Sequence, residues 1–445
     1  MENNDMQQWR RTIIDAALSA ADPIKAVKNG FVAGLSPSIA DLKDMGYRQF
    51  HAISIGKAAI PMIEGLLDAC GEAIGGGVIV PKRTYSIAPK PWHDRFLISP
   101  ASHPVPDQAS MDAAKSVLTY LDKLQQNDFV YFLISGGGSA LITLPEGNIS
   151  LNDMAIMSQL LLACGATIDE INTIRKHIDR VKGGKLIKHT SPAGFGTLVL
   201  SDVLGDPLDV IASGPTVFDP TTFQDAWSIL NKYELLASTP QSIKTLIQAG
   251  LQGEIPETPK PDEKSKQYLE PLVIGSNKVS LNAAGIAAQQ AGLTSIVLSD
   301  HLIGEAREMG VWIVNQVHDY FTQHPEAKGK YCFLCGGETT VTIKGQGKGG
   351  RNTEMALSSV PFLARFGNAC LVTLATDGED GPTDAAGAWC DQLTLKKANG
   401  MGLDVNRYLD QNDSYHYFQQ LDQLLITGST GTNVNDICFV IVQKE

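Results

Sequence analysis

Several turns in this 445-residue chain set glycine beside a cation, a hydroxyl or an acid just after a β-branched or aromatic run. Such turns are where open α/β sheets hold anions. At Ser54-Ile55-Gly56-Lys57-Ala58 a strand-like run ends at a glycine, and Lys57 can meet an anion there. At Ser135-Gly136-Gly137-Gly138-Ser139, directly after FVYFLI, bare backbone N–H groups lie between two hydroxyls, which suits an anion nest. Asp202 follows the run TLVLS and can hold Mg²⁺ or a substrate hydroxyl. The C-terminal half carries its own set: Ser276-Asn277-Lys278, Gly336-Gly337-Glu338, the loop Gly345–Asn352 with Lys348 and Arg351, and Asp377, a second metal candidate at a strand end. Between the sets, Asn172–Lys185 concentrates cations in an acidic chain and reads either as a salt-bridged face or as a recruitment surface for an anionic substrate.

Familiar motifs fail one by one. Gly345-x-Gly347-x-x-Gly350 has the letters of a dinucleotide turn, yet the acid expected about twenty residues on is missing, and the next after Glu354 is Asp377. Gly56-Lys57 lacks the remainder of a Walker A loop. Gly137-Gly-Ser139-Ala-Leu141 fails the serine nucleophile elbow at its last position. Cys332 and Cys335 form C-x2-C inside a strand-like run with no second pair nearby, so core thiols are expected rather than zinc or redox chemistry.

The elements that must position these residues alternate along the whole chain. Strands are expected at 51–55, 77–80, 96–99, 129–134, 197–201, 272–275, 295–299, 330–335, 339–343, 371–375 and 437–443. Helices are expected at 6–20, 57–70, 109–126, 151–164, 170–180, 239–249, 277–291, 304–322, 352–365 and 386–399. That alternation is the mark of α/β architecture. The proline- and charge-rich stretch Gly250–Glu270 marks a domain boundary, giving domains 1–252 and 253–445.

With 36 Lys and Arg against 48 Asp and Glu, the net charge of −12 argues against nucleic acid or an anionic membrane as partner. No apolar stretch is long enough to span a bilayer, and Met1–Arg11 is polar, so a cytoplasmic protein is expected.

Taken together, IGKAA, SGGGSAL, INTIRKHIDRVKGGKL, LSDVLGDPLDVIASGPT, GGETTVTIKGQGKGGRNTEMAL and ATDGEDGPTDAAGAW closely resemble the two-domain glycerate 2-kinase family, whose C-terminal part is called the MOFRL domain. The blocks run in order from about Asp15 to Phe439. The resemblance implies two three-layer α/β/α domains, the first Rossmann-like with a mostly parallel sheet and the second with a mixed sheet. It also implies ATP- and Mg²⁺-dependent phosphorylation of D-glycerate, usually at the 2-hydroxyl, in a cleft between the domains. Lys57 and Arg351 look like the family's functional pair, approaching the phosphoryl group or the glycerate carboxylate. Ser135–Ser139 and Gly336–Glu338 are then expected along the phosphate path, and Asp202 either accepts the hydroxyl proton or shares Mg²⁺ with Asp377. Members are often labelled hydroxypyruvate reductase, so an NAD(P)H-dependent reductase is the alternative. A homodimer is a further expectation.

Overall fold

The computed structural model describes residues 4–84, 89–190, 193–261 and 268–445. Part of the expected boundary segment, 262–267, lies outside them. The chain packs as two units: Ala26–Ile274, and Met1–Lys25 together with Gly275–Glu445.

In the first unit, strands β1 (Gln49–Ile55), β2 (Ile74–Val80), β3 (Phe96–Ile98), β4 (Asp128–Ser135), β5 (Gly194–Leu200) and β6 (Leu272–Gly275) form one sheet ordered β3-β2-β1-β4-β5-β6. The registers of β1 with β2 and β4, β2 with β3 and β4 with β5 are parallel. This is the Rossmann order, and it reverses direction between β1 and β4. Period-two alternation splits the strands between two faces. Ile53, Val130, Phe132 and Ile134 pack on helix Gln108–Leu121 through Ala113, Val117 and Leu121. On the other face, Tyr47 and Phe31 meet Phe129 and Tyr131 edge-on.

The second unit's sheet is mixed. Its strands β7 (Thr294–Glu305), β8 (Gly329–Thr340), β9 (Ala369–Ala375), β10 (Gly387–Asp391), β11 (Leu424–Leu425) and β12 (Asp436–Lys444) run in the order β11-β10-β9-β12-β8-β7, with only β7 and β8 parallel among the registered pairs. Phe333, Leu371 and Val440 face helices Ala306–Gln323 and Arg351–Leu363. Cys332, Leu334, Val372 and Phe439 face helices Asn4–Ala21 and Asn277–Gln290. All seven cysteines are free thiols, and Cys332 and Cys335 belong to opposite faces of the sheet, as core thiols do.

Three expectations change. The N-terminal helix joins the second unit, because Met6, Trp9, Ile13 and Ala17 bury against Leu281, Ala284 and Ala288. The units accordingly divide at Ile274/Gly275 rather than after residue 252. No separate strand forms over 339–343: β8 runs on to Thr340, and beyond it side chains replace a neighbouring strand, Glu305 accepting from the Thr342 N–H and Asn412 from those of Lys344 and Gly345. The helix expected at 386–399 begins only at Thr394, since Gly387–Asp391 is wholly buried as β10 between β9 and β11.

Candidate functional site

At the reversal point of the first sheet the turns after β1 and β4 lie side by side. The Lys57 N–H donates to Gly136 O at 2.9 Å, and the Ala58 N–H donates to Ser135 Oγ at 3.1 Å. Gly56 sits at φ +132°, where a Cβ would stand 2.0 Å from Ser135 Oγ, so only glycine lets the two turns meet. At Gly136 a Cβ would fall 1.8 Å from Asp202 Oδ2. Gly137 adopts φ +83° with the His103 ring on one side and the Lys57 stem on the other. The structure thus gathers Lys57, Ser135–Ser139 and Asp202, which lie far apart in sequence. Lys57 is half-buried, and among the described residues no carboxylate pairs with it.

Behind the turn, Ser139 Oγ lies 2.9 Å from Ser213 Oγ, and Ser213 Oγ donates to Asn172 Oδ1 at 3.0 Å. Ala212, Ser213 and Gly214 hold φ of +53°, +59° and +56°. Two consecutive non-glycine residues in the left-handed region are strained, a feature that clusters at working sites.

His103 was not singled out from the sequence. Burial and the neighbouring Lys57 and Lys82 charges push its pKa below the ordinary 6.5, leaving a neutral imidazole beside the turn. A lone histidine in a proline-rich loop carries no local signal of this.

Within the cationic segment Asn172–Lys185, Lys176, His177 and Lys182 face acids of the same unit rather than an incoming anion. Lys176 is buried with Asp209 at 2.9 Å and Asp219 at 3.3 Å, Lys182 with Asp179 at 2.7 Å, and His177 Nε2 lies 3.2 Å from Glu257. Lys176 and Lys182 thereby neutralise the buried carboxylates of Asp219 and Asp179.

In the second unit Arg351 opens helix Arg351–Leu363. Its Nε and Nη2 donate to the two carboxylate oxygens of Asp436 at 2.5 and 3.1 Å, and Nη1 donates to Glu338 at 2.6 Å. Asp436, at the start of β12, was also missed; nothing local in TNVNDICF distinguishes it. Burial pushes its carboxyl up to about 7 although Arg351 pulls the other way. Burial also works against the Arg351 charge, but Asp436 and Glu338 outweigh it and raise the guanidinium's pKa.

All but one of the remaining candidates of this unit, the exposed Lys278, have structural partners. A Cβ on Gly336 would meet Asn277 Oδ1 at 2.0 Å, and one on Gly337 would meet Leu302 O at 2.1 Å, so these glycines let a side chain and a strand approach β8. Ser276 caps helix Asn277–Gln290, Asn277 Nδ2 donates to the Val434 and Asp436 carbonyls, and Lys278 is exposed. Asp377 Oδ1 accepts from the Glu379 N–H within its own turn.

The Gly345–Gly350 loop is a clasp rather than a dinucleotide turn. Its N–H groups donate to Asn412 Oδ1, Gln411 O and Asp413 Oδ1, and a Cβ on Gly345 or Gly347 would strike residues 411–413. The helix N-terminus beyond it, where a pyrophosphate would sit, is filled by buried Asp380, which accepts from the Asn352 and Thr353 N–H groups at 2.8 Å each. Asp380 therefore caps this helix.

Among the described residues no three His, Cys, Asp or Glu side chains gather as a metal site, and no helix is long and apolar enough to cross a membrane. A Mg²⁺ ion taking one protein carboxylate plus substrate phosphate oxygens fits such a donor set.

A parallel Rossmann-order sheet with a lysine beside a triple-glycine turn, and a mixed-sheet unit, agree with the comparisons. Residues 10–248 match the family model described as a domain of unknown function (DUF4147), and residues 331–436 match the MOFRL family. The chain is 41% identical to the glycerate 2-kinase of Pyrococcus horikoshii, covering 99% of this chain and 98% of that one. It is 37% identical to an Agrobacterium vitis protein bearing a hydroxypyruvate reductase name, over 98% and 94% of the two chains. A crystal structure of glycerate kinase from Thermotoga maritima superposes with a TM-score of 0.87 at 38% identity, over 99% of this chain and all of that one. The chain belongs to the glycerate kinase family.

Proposed function

We propose that the protein is an ATP-dependent glycerate 2-kinase, transferring the γ-phosphoryl group of ATP to D-glycerate to give 2-phospho-D-glycerate. End-to-end similarity to the Pyrococcus glycerate 2-kinase carries the reading. The reductase alternative loses its footing, because the only dinucleotide-like turn weighed for it is closed by residues 411–413 and Asp380.

Phosphoryl transfer asks a protein mainly for positioning and charge neutralisation. In this reading Lys57 and the Ser135–Ser139 turn hold the transferring phosphoryl group, with Lys57 as a preorganised charge paired with no carboxylate among the described residues. Asp202, beside Gly136, would hold Mg²⁺, which when bound neutralises phosphate charge. Asp377 is less suited to that task because its Oδ1 already closes its own turn. His103, kept neutral by its surroundings, takes the proton of the glycerate hydroxyl. In the second unit Arg351, with Nε, Nη1 and Nη2 all bonded to Asp436 or Glu338, is a fixed positive end with N–H groups to spare for an anion. Gly336–Glu338 contribute through the Glu338 contact with Arg351. The test is ADP release from ATP and D-glycerate, with the product identified by phosphorus NMR.

A further inference from the structure

A cavity of about 430 Å³ opens beside Gly137 and Ser139 in the first unit. Its polar end presents Ser139, Thr143, Arg175 and Lys182, and Met154 and Met157 from helix Leu151–Ala163 form an apolar wall. Lys182 brings no net charge, because its ammonium donates to Asp179 at 2.7 Å, to Thr143 Oγ1 and to Ile142 O. Arg175 differs from its neighbours. Lys176 and Lys182 on either side are bonded to acids, yet among the described residues no acid or carbonyl accepts from the Arg175 guanidinium. Burial alone acts on it, pushing its pKa below the ordinary arginine value. A guanidinium withdrawn from water beside an apolar wall is costly unless an anion joins it.

Building on the kinase reading, we propose that Arg175 binds the carboxylate of the acid substrate within this cavity. The charge matches: one unpaired cation answers one carboxylate, whereas a nucleotide triphosphate carries several negative charges. The chemistry matches too, since the planar fork pairs bidentately with a carboxylate and a low-dielectric wall strengthens the pair. Gly137 borders the cavity, and the Lys57 stem and the His103 ring flank that same glycine, so a small acid anchored by Arg175 has its hydroxyls directed toward the proposed phosphoryl site. Arg351 is less able to play this part, because Asp436 and Glu338 occupy its fork.

The experiment compares wild type, Arg175→Met and Arg175→Lys in steady-state kinetics and calorimetric binding, using D-glycerate and its uncharged amide, D-glyceramide. For Arg175→Met the KM for D-glycerate rises roughly 10- to 150-fold, the size of a lost charged hydrogen bond. The KM for ATP stays put, and the wild-type preference for glycerate over glyceramide largely vanishes. Arg175→Lys, which keeps the charge without the fork, falls between, and it carries the comparison if the methionine variant does not fold. An equal penalty on acid and amide makes Arg175 structural and overturns the proposal. So does a rise in the KM for ATP with that for glycerate unchanged. Wild type that neither binds nor phosphorylates D-glycerate overturns the kinase reading itself, and this inference with it.

Discussion

Arg351 and Asp436 form a bidentate pair, Nε to Oδ2 at 2.5 Å and Nη2 to Oδ1 at 3.1 Å, with the carboxylate almost fully buried at the start of β12. A cation held this way cannot swing, and its acid cannot be left alone. Removing one partner of a buried pair strands the other charge, which costs about 3 to 5 kcal/mol, whereas removing both costs far less. Arg351→Met is therefore expected to be the less stable protein and the Arg351→Met/Asp436→Asn double variant the more stable one, while both remain inactive. Chemical denaturation beside initial rates checks this. Equal stability of the single and double variants would show that the pair is not the reason Asp436 is buried.

Lys57 has no acid among the described residues to satisfy, so its loss disturbs the fold little. Lys57→Met is expected to lower kcat by roughly 10²-fold or more, the usual cost of removing a preorganised charge, with the melting temperature nearly unchanged. Unaltered turnover in this variant removes Lys57 from the chemistry.

His103 sets a pH dependence whose sign follows from its depressed pKa. The imidazole stays neutral, and able to accept a proton, down to a pH below the ordinary 6.5, so kcat/KM rises with pH through an apparent pKa below that value and then levels off. In His103→Gln that acidic limb is absent and the rate is lower throughout. A wild-type profile without the limb argues against His103 as the base.

Two groups of glycines separate function from folding. A Cβ at Gly136 displaces the Asp202 carboxylate, so Gly136→Ala is expected to cut kcat at least tenfold with a modest loss of stability. A Cβ at Gly350 stands 2.4 Å from Asp380 Oδ1 and forces the cap off helix Arg351–Leu363, so Gly350→Ala is expected to cost stability first, about 1 to 2 kcal/mol. Thermal melts paired with kcat for the two variants decide the matter; the reverse pattern would mean that the two loops have each other's roles.

What could be read from the sequence was local. Lys57, the Ser135–Ser139 turn and Asp202 each follow an apolar run, and strand ends in a parallel sheet converge on one edge, so marking the ends was enough to bring them together. His103, Asp436 and Asp380 could not be found that way, because each owes its role to a partner distant in sequence: His103 to Lys57, Asp436 to Arg351, Asp380 to the N–H groups of Asn352 and Thr353. The Gly345–Gly350 loop misleads for the same reason. Its glycines are spaced like a phosphate turn but answer to the close approach of residues 411–414. GAWCD is buried from end to end, so it offers no alternation to separate strand from helix, and pairing with β9 and β11 decides it.

The most direct test of the account incubates purified protein with ATP, Mg²⁺ and D-glycerate and follows ADP release, with phosphorus NMR of the product and a parallel reaction of NADH with hydroxypyruvate. ADP together with 2-phospho-D-glycerate, without NADH oxidation, is the expected result. NADH consumption without ADP release contradicts it.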